Sequence, residues 1–246
     1  MQTIPFARLA LAFIPVVVVI LILWKWMLDY KNSIYAVFRM LIQLLLIGYV
    51  LTYIFETDSA LVVAAVLSVM LFSSSWIALR TSHIPRKKLY LKSFLSISLG
   101  GGVILIIMTQ GVLDLQPWYS PSSVIPLAGM IFAGAMNSIS LAGERLEAEI
   151  NRDVPYEQSR SIALQASLIP ITNTLFAVGL VSLPGMMTGQ ILSGVSPLIA
   201  VRYQIMVMCM IFGSAGISSA MFLTLVKSDV TTEERYDSAE RTSSST

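Results

Sequence analysis

The residues of this chain that could do chemistry are few. Residues 183–190, LPGMMTGQ, set the thioethers of Met186 and Met187 beside the helix-breaking pair Pro184 and Gly185 and the amide of Gln190. Thioether sulfur is a soft ligand that suits Cu(I) better than Fe(II), which makes Met186 and Met187 candidate metal contacts. At membrane depth, irregular backbone survives only when it is buried in protein or lines a wet cavity. Packing is the other common use of methionine. A second group, Met136 and Asn137, lies in PLAGMIFAGAMNSISLAG. There Gly129, Ala133 and Asn137 form one i, i+4, i+8 row, and Gly134, Ser138 and Ala142 form another. Small-residue rows let helices approach closely and an amide among them can bond across the contact, so helix packing and a pore lining are both open. Third, Arg39 and Gln43 stand four residues apart, on one helix face, in an otherwise apolar run. An ionisable residue at such a position is a functional-site hypothesis by default, against the alternative that Arg39 snorkels to the headgroups. These residues are the candidate cargo pathway.

The same inventory excludes much. One histidine, His83, and one cysteine, Cys209, are too few for a Cys/His zinc site, a disulfide framework or a Cys/His catalytic pair within one chain. No Asp, Glu or His falls inside an apolar run, which disfavours a proton relay. Without a nucleophile, acid–base pair or metal centre there, an enzyme is disfavoured and no catalytic residue is assigned.

Positioning these residues falls to apolar helices. Of 246 residues, 56% are hydrophobic and 12% charged, about half the charged share of a soluble domain. The charges cluster between long uncharged runs, the pattern of loops between membrane spans. Spans are expected over 9–24, 33–55, 59–79, 93–113, 122–143 and 203–226. One more is expected within the uncharged run 161–201, which Pro170, Pro184, Gly185, Gly189, Gly194 and Pro197 interrupt and which also holds a bent or re-entrant piece. The first apolar run is read as an uncleaved helix, because WKWMLDYK follows it instead of a small-residue cleavage site. The fold expected is an all-α integral membrane protein of about seven transmembrane helices. Residues 1–226 would form one permease domain, and the polar tail 227–246 is expected to be disordered. With the N-terminus outside and the C-terminus cytoplasmic, thirteen of the sixteen Lys and Arg fall in cytoplasmic segments. Were the run 161–201 to cross twice, the tail would lie outside.

Between the fifth span and the 161–201 run, residues 143–160 are charged. A helix over residues 123–150 would measure about 42 Å, longer than a ~30 Å hydrocarbon core, and would protrude. Leu146 and Ile150 stand four residues apart among Glu144, Arg145, Glu147 and Glu149, with Asp153 as a candidate N-cap and Pro155 in the first turn of a short helix bearing Tyr156, Glu157 and Arg160. A charged helix, a break and a second charged helix make a shape that a soluble subunit could grip, with Leu146 and Ile150 as apolar anchors. A merely solvated loop is the alternative.

The segments PLAGMIFAGAMNSISLAGERL, LIPITNT, GLVSLPGMMTGQILSGVSPLIAVRYQI and RMLIQLLLIGYVL resemble the FetB/YbbM family (UPF0014), permeases of ABC transporters of the iron export type, over about residues 39–226. The resemblance implies a multi-pass subunit of the bacterial inner (plasma) membrane, paired with a separate FetA-like ATP-binding subunit and a second copy of itself, in contact with lipid and not with nucleic acid. It also implies that this chain binds no cofactor, ATP and Mg residing on the partner. No Walker A pattern occurs, in agreement. The segment after AGERL, NRDVPYEQSRSIALQASLIP, is shorter and more polar than is common in the family, so the resemblance implies where docking occurs and not its residue-level chemistry. Fe(II) prefers carboxylate, imidazole and water. Cargo contacts would therefore involve external carboxylates such as Glu56, Asp58 and Asp114, or the cargo would be chelated or lipid-like. A stand-alone channel, or an ABC permease for a lipid-like or sugar-nucleotide cargo, is the alternative function.

Overall fold

The computed structural model describes residues 5–56, 59–82 and 84–229. His83, Asp58 and the tail from residue 230 on lie outside the described residues. The chain divides into two compact units, Met1–Thr57 and Asp58–Thr246.

The first unit holds α1 (Phe6–Leu11), α2 (Ile14–Lys25) and α3 (Tyr30–Phe55). Asp29 caps α3 by accepting from the Asn32 backbone N–H at 3.1 Å, which satisfies one of the orphan donors of its first turn. The aliphatic side chains of α2 and α3 point outward, Val17, Leu21, Leu45 and Leu46 among them. Such exposure is costly in water and cost-free in lipid tails.

The second unit consists of α4 (Ala60–Ala78), α5 (Arg86–Ile106) running on as a π-helical turn at Ile107–Val112, α6 (Pro121–Ile150), α7 (Tyr156–Ala177), α8 (Gly185–Leu192) and α9 (Pro197–Leu225). Its apolar residues also face outward, with Leu61, Val69, Leu91 and Leu99 exposed, while Ser75, Ser93, Ser96, Ser138, Ser214, Ser218 and Ser219 are buried. Most of these hydroxyls return to a carbonyl, as Ser96 does to Lys92 at 2.7 Å and Ser75 to Leu71 at 2.7 Å. A serine can therefore occupy a tight helix crossing without orphaning its oxygen.

Close approaches give the helix directions. Gly129 faces Met70 and Thr81 bonds Ser140, so α4 and α6 run parallel. Gly134 faces Ile211 and Gly143 faces Phe222, so α6 and α9 are also parallel. Gly100 meets Ser218 and Gly213 meets Ile104, so α5 is antiparallel to α9. Tyr156 bonds the Leu223 carbonyl and Gly216 faces Leu168, so α7 is antiparallel to α9 too. The run 161–201 thus traverses the bundle once, in α7. The eight residues of α8, about 12 Å long, are too few to cross and form the bent piece.

Six described helical stretches are long and apolar enough to span a membrane: Arg8–Lys25, Tyr30–Phe55, Ala60–Ala78, Arg86–Val112, Pro121–Ile150 and Pro197–Asp229. The expected count of seven lies near this. The remaining long helix, α7, carries Glu157, Gln158, Arg160 and Gln165 and falls short in apolarity on its own. Several boundaries differ from expectation. Helix α5 starts at Arg86 because its basic residues occupy the first turns, and α9 starts at Pro197, so Arg202 is helical. Pro170 and Gly189 lie inside α7 and α8 without ending them. The actual breaks are the turns at Gly179 (φ +82°) and Gly194 (φ +91°), left-handed positions that suit glycine.

Candidate functional site

Helix α6 runs for 30 residues, about 45 Å, so one end must project beyond a ~30 Å core. Its C-terminal end turns through 151–155 into α7. The capping differs from expectation: Pro155 is the N-cap, Asp153 sits in the turn at φ +60°, and α7 is 22 residues long, not short. Charge ties this elbow together. Glu149 is buried and paired with Arg145 at 2.5 Å and Arg152 at 3.4 Å, so its carboxylate is neutralised from two sides. Glu147 accepts a short hydrogen bond from the Ser82 hydroxyl. The elbow also grips the end of α9. The buried Tyr156 hydroxyl donates to the Leu223 carbonyl, and Lys227 lies over the Tyr156 ring at 5.6 Å while donating to Glu157 at 2.7 Å. Burial pushes the Tyr156 phenol up to about 12, against the smaller opposing effect of Arg160. The hydrogen bond from Lys227 holds Glu157 below its usual range. Lys92 of α5 pairs with Asp229 at 2.7 Å at the same end.

This geometry corrects the role expected of Leu146. It is 1% exposed and belongs to the hydrophobic core, so it has no surface to offer a partner. Ile150 is half-buried against that core. The exposed groups of the elbow are polar: Glu144, Asn151, Arg152, Asp153, Glu157 and Gln158.

The two small-residue rows of α6 part company. Gly134, Ser138 and Ala142 face inward, where the Ser138 hydroxyl accepts from Ser219 at 2.7 Å and a Cβ on Gly134 would stand 3.1 Å from Ile211. That row is packing. Ala133 and Asn137 of the other row are exposed, and Gly129 has only the Met70 methyl near it, at 3.4 Å. An amide facing outward from a spanning helix is unfavourable against lipid, so this face suits a wet or protein-covered surface. Met136 and Met186 pack against the core, whereas the half-buried Met187 does not join it. Pro184 is the N-cap of α8 and Gly185 its first residue. Arg39 and Gln43 are exposed one turn apart on α3, in the first unit. Among the described residues no group of three or more His, Cys, Asp or Glu is placed to hold a metal ion.

The family model for UPF0014, described as an uncharacterised protein family, matches residues 6–157 and 154–230. The chain belongs to this family. The match begins well before residue 39, where the sequence resemblance was placed. Among UPF0014 proteins, the chain is 36% identical over 237 residues to the probable iron export permease protein FetB of Escherichia coli, covering 89% of this chain and 90% of that one. It is 41% identical to the UPF0014 membrane protein slr1647 of Synechocystis over 70% and 73% of the two chains, and 32% identical to ALUMINUM SENSITIVE 3 of Arabidopsis thaliana over 83% and 82%. No solved structure matches the chain. This UPF0014 chain is accordingly a multi-pass membrane protein of permease type.

Sequence reasoning missed two features. Gln204 of α9 is 6% exposed, and its amide oxygen has no hydrogen-bond partner. A polar amide eight residues into an apolar helix was the available signal. The clamp of Lys227 and Tyr156 on the elbow joins residues 67 to 70 positions apart, which no local pattern announces.

Proposed function

We propose that this chain is the transmembrane permease subunit of an ABC transporter of the bacterial inner membrane that exports iron or another metal species. ATP with Mg is hydrolysed on a separate ATP-binding subunit, and two copies of the permease pair. The chain crosses seven times, N-terminus outside and C-terminus cytoplasmic, with α7 as the seventh crossing. The observation that carries this reading is the α6–α7 elbow: a helix about 45 Å long ends in a charged turn locked to the ends of α5 and α9. A partner that displaced the elbow would displace those helices with it. Docking on this end runs through the polar rim, Glu144, Asn151 and Gln158, with Glu147, Arg145, Ile150, Tyr156 and Glu157 holding the rim in shape. The cargo pathway is the face of α6 bearing Asn137 together with the α8 segment of Met187 and Gln190, and the similarity to a protein named a probable iron export permease supports the cargo class.

The test is co-expression with the candidate ATP-binding subunit. Co-purification and ATPase activity in the complex, stimulated by metal, are expected. A permease that moves metal with no such subunit present would be a channel and would overturn the reading.

A further inference from the structure

We infer that Gln204 of α9, with Gln190 of α8, forms an acceptor site for a hydrated divalent cation in transit, the amide oxygens taking hydrogen bonds from the cation's water ligands; the inference rests on the permease reading above. Four buried polar side-chain atoms in the described residues lack a partner: Arg145 Nε, Ser218 Oγ, Gln190 Oε1 and Gln204 Oε1. The first belongs to the charge cluster around Glu149. The second is accounted for by a crossing so tight that a Cβ on Gly100 would stand 2.5 Å from it. The two amide oxygens have no such account, and the Gln204 side chain is buried to nine-tenths and more. An acceptor left without a donor bears the full desolvation cost of the group, so a buried amide of this kind signals a ligand or water that satisfies it.

Both amides lie on one helical pair. Helix α8 packs on α9, and the residues 193–196 that join them are too few to separate them. The facing pairs Gly100 with Ser218 and Ile104 with Gly213 set the register of α5 against α9. Nine residues further along each helix, Gln204 comes level with Leu113, just past the π turn Ile107–Val112. Widened turns of this type are frequent at functional sites. The exposed Asp114 carboxylate follows directly, held at φ +46° with the Gln116 amide 3.5 Å away, and supplies a negative charge at this end of the bundle.

The chemistry favours a hydrated ion over a bare one. Amide oxygen is a hard, neutral acceptor, in the class of carbonyl and water ligands that suit hard divalent cations. Two neutral amides cannot replace a full aqua shell, but they can accept from it. Weak, uncharged contacts are also what transit requires, since an ion held too firmly does not leave. The absence of carboxylates from the apolar runs is then a feature of the site.

The probe is Mn(II), titrated into the purified full chain in detergent and followed by the loss of the free-ion paramagnetic resonance signal. Wild type is expected to bind, and Gln204→Leu to weaken binding about tenfold or more, the loss expected for hydrogen bonds to a charged species. Its melting temperature should hold or rise, because an orphan acceptor has left the interior. Gln204→Glu should tighten binding, and Gln204→Met, close in shape to glutamine, guards against a misfit of leucine. Unchanged Mn(II) affinity in the Leu and Met variants would overturn the site. A lower melting temperature in both would overturn it as well, by marking the amide as structural. Because the titration uses the chain alone, failure of an ATP-binding subunit to co-purify would sink the ABC reading without touching this measurement.

Discussion

Gly100→Ala tests the tightest crossing in the bundle. A methyl at Gly100 would sit 2.5 Å from Ser218 Oγ and 3.0 Å from both the backbone N and Cα of Ser218. Rotation of the serine could relieve the first contact. The other two are backbone, so α5 and α9 would have to separate by roughly 0.5–1 Å to restore ordinary contact, and overpacking of this kind costs about 1–3 kcal/mol. Alanine's better helix propensity offsets up to about 1 kcal/mol of that. Gly102→Ala is the internal control. It lies two residues away in the same helix with nothing within 4 Å of its added Cβ, so it should be neutral or stabilising by up to about 1 kcal/mol. The two variants should therefore differ by about 2–3 kcal/mol, or roughly 5–10 °C in melting temperature. Ser218→Ala in the Gly100→Ala background should recover part of the loss, as the hydroxyl it removes has no partner. Differential scanning fluorimetry in detergent measures all four proteins. If Gly100→Ala melts at or above Gly102→Ala, the α5–α9 crossing is not as close as described.

Leu146→Ala should cost about 2–5 kcal/mol of stability as a core cavity, whereas Glu144→Lys with Asn151→Lys, both exposed, should weaken capture of the ATP-binding subunit in a pull-down at unchanged melting temperature. Tyr156→Phe should lose about 1 kcal/mol with its bond to the Leu223 carbonyl. The pH dependence follows from the raised phenol: the contribution of Tyr156 is full below pH 10, where the hydroxyl is neutral in both folded and unfolded chains, and is lost as pH rises from 10 through about 12. Melting curves should accordingly converge between wild type and the Phe variant over that range. Asn137→Leu and Met187→Ala should leave the melting temperature of the single chain nearly unchanged and lower metal-stimulated ATPase activity of the complex, while Met186→Ala, whose side chain packs on the core, should mainly lower stability.

The membrane class, the helical fold and most crossings were legible in the sequence, because a ~20-residue uncharged run is a local property that lipid reads directly. The protruding α6 was legible for the same reason, since its length is set by rise per residue. The single traverse of 161–201 was also anticipated, although its breaks fell at Gly179 and Gly194 and not at Pro170. What the sequence could not assign was which face of a helix turns inward. In lipid, the apolar periodicity that marks a core in water is weak or reversed, so Gly134 and Ala133, adjacent and alike in composition, were indistinguishable until packing put one against Ile211 and left the other exposed. Leu146 was misread by the same ambiguity: a leucine among charges looks like an exposed anchor, and only the approach of neighbouring helices buries it. Gln204 without a partner, and the hold of Tyr156 and Lys227 on the elbow, depend on which atoms meet across helices distant in sequence. Those meetings are decided by tertiary packing, because hydrogen bonds between side chains have no local sequence period.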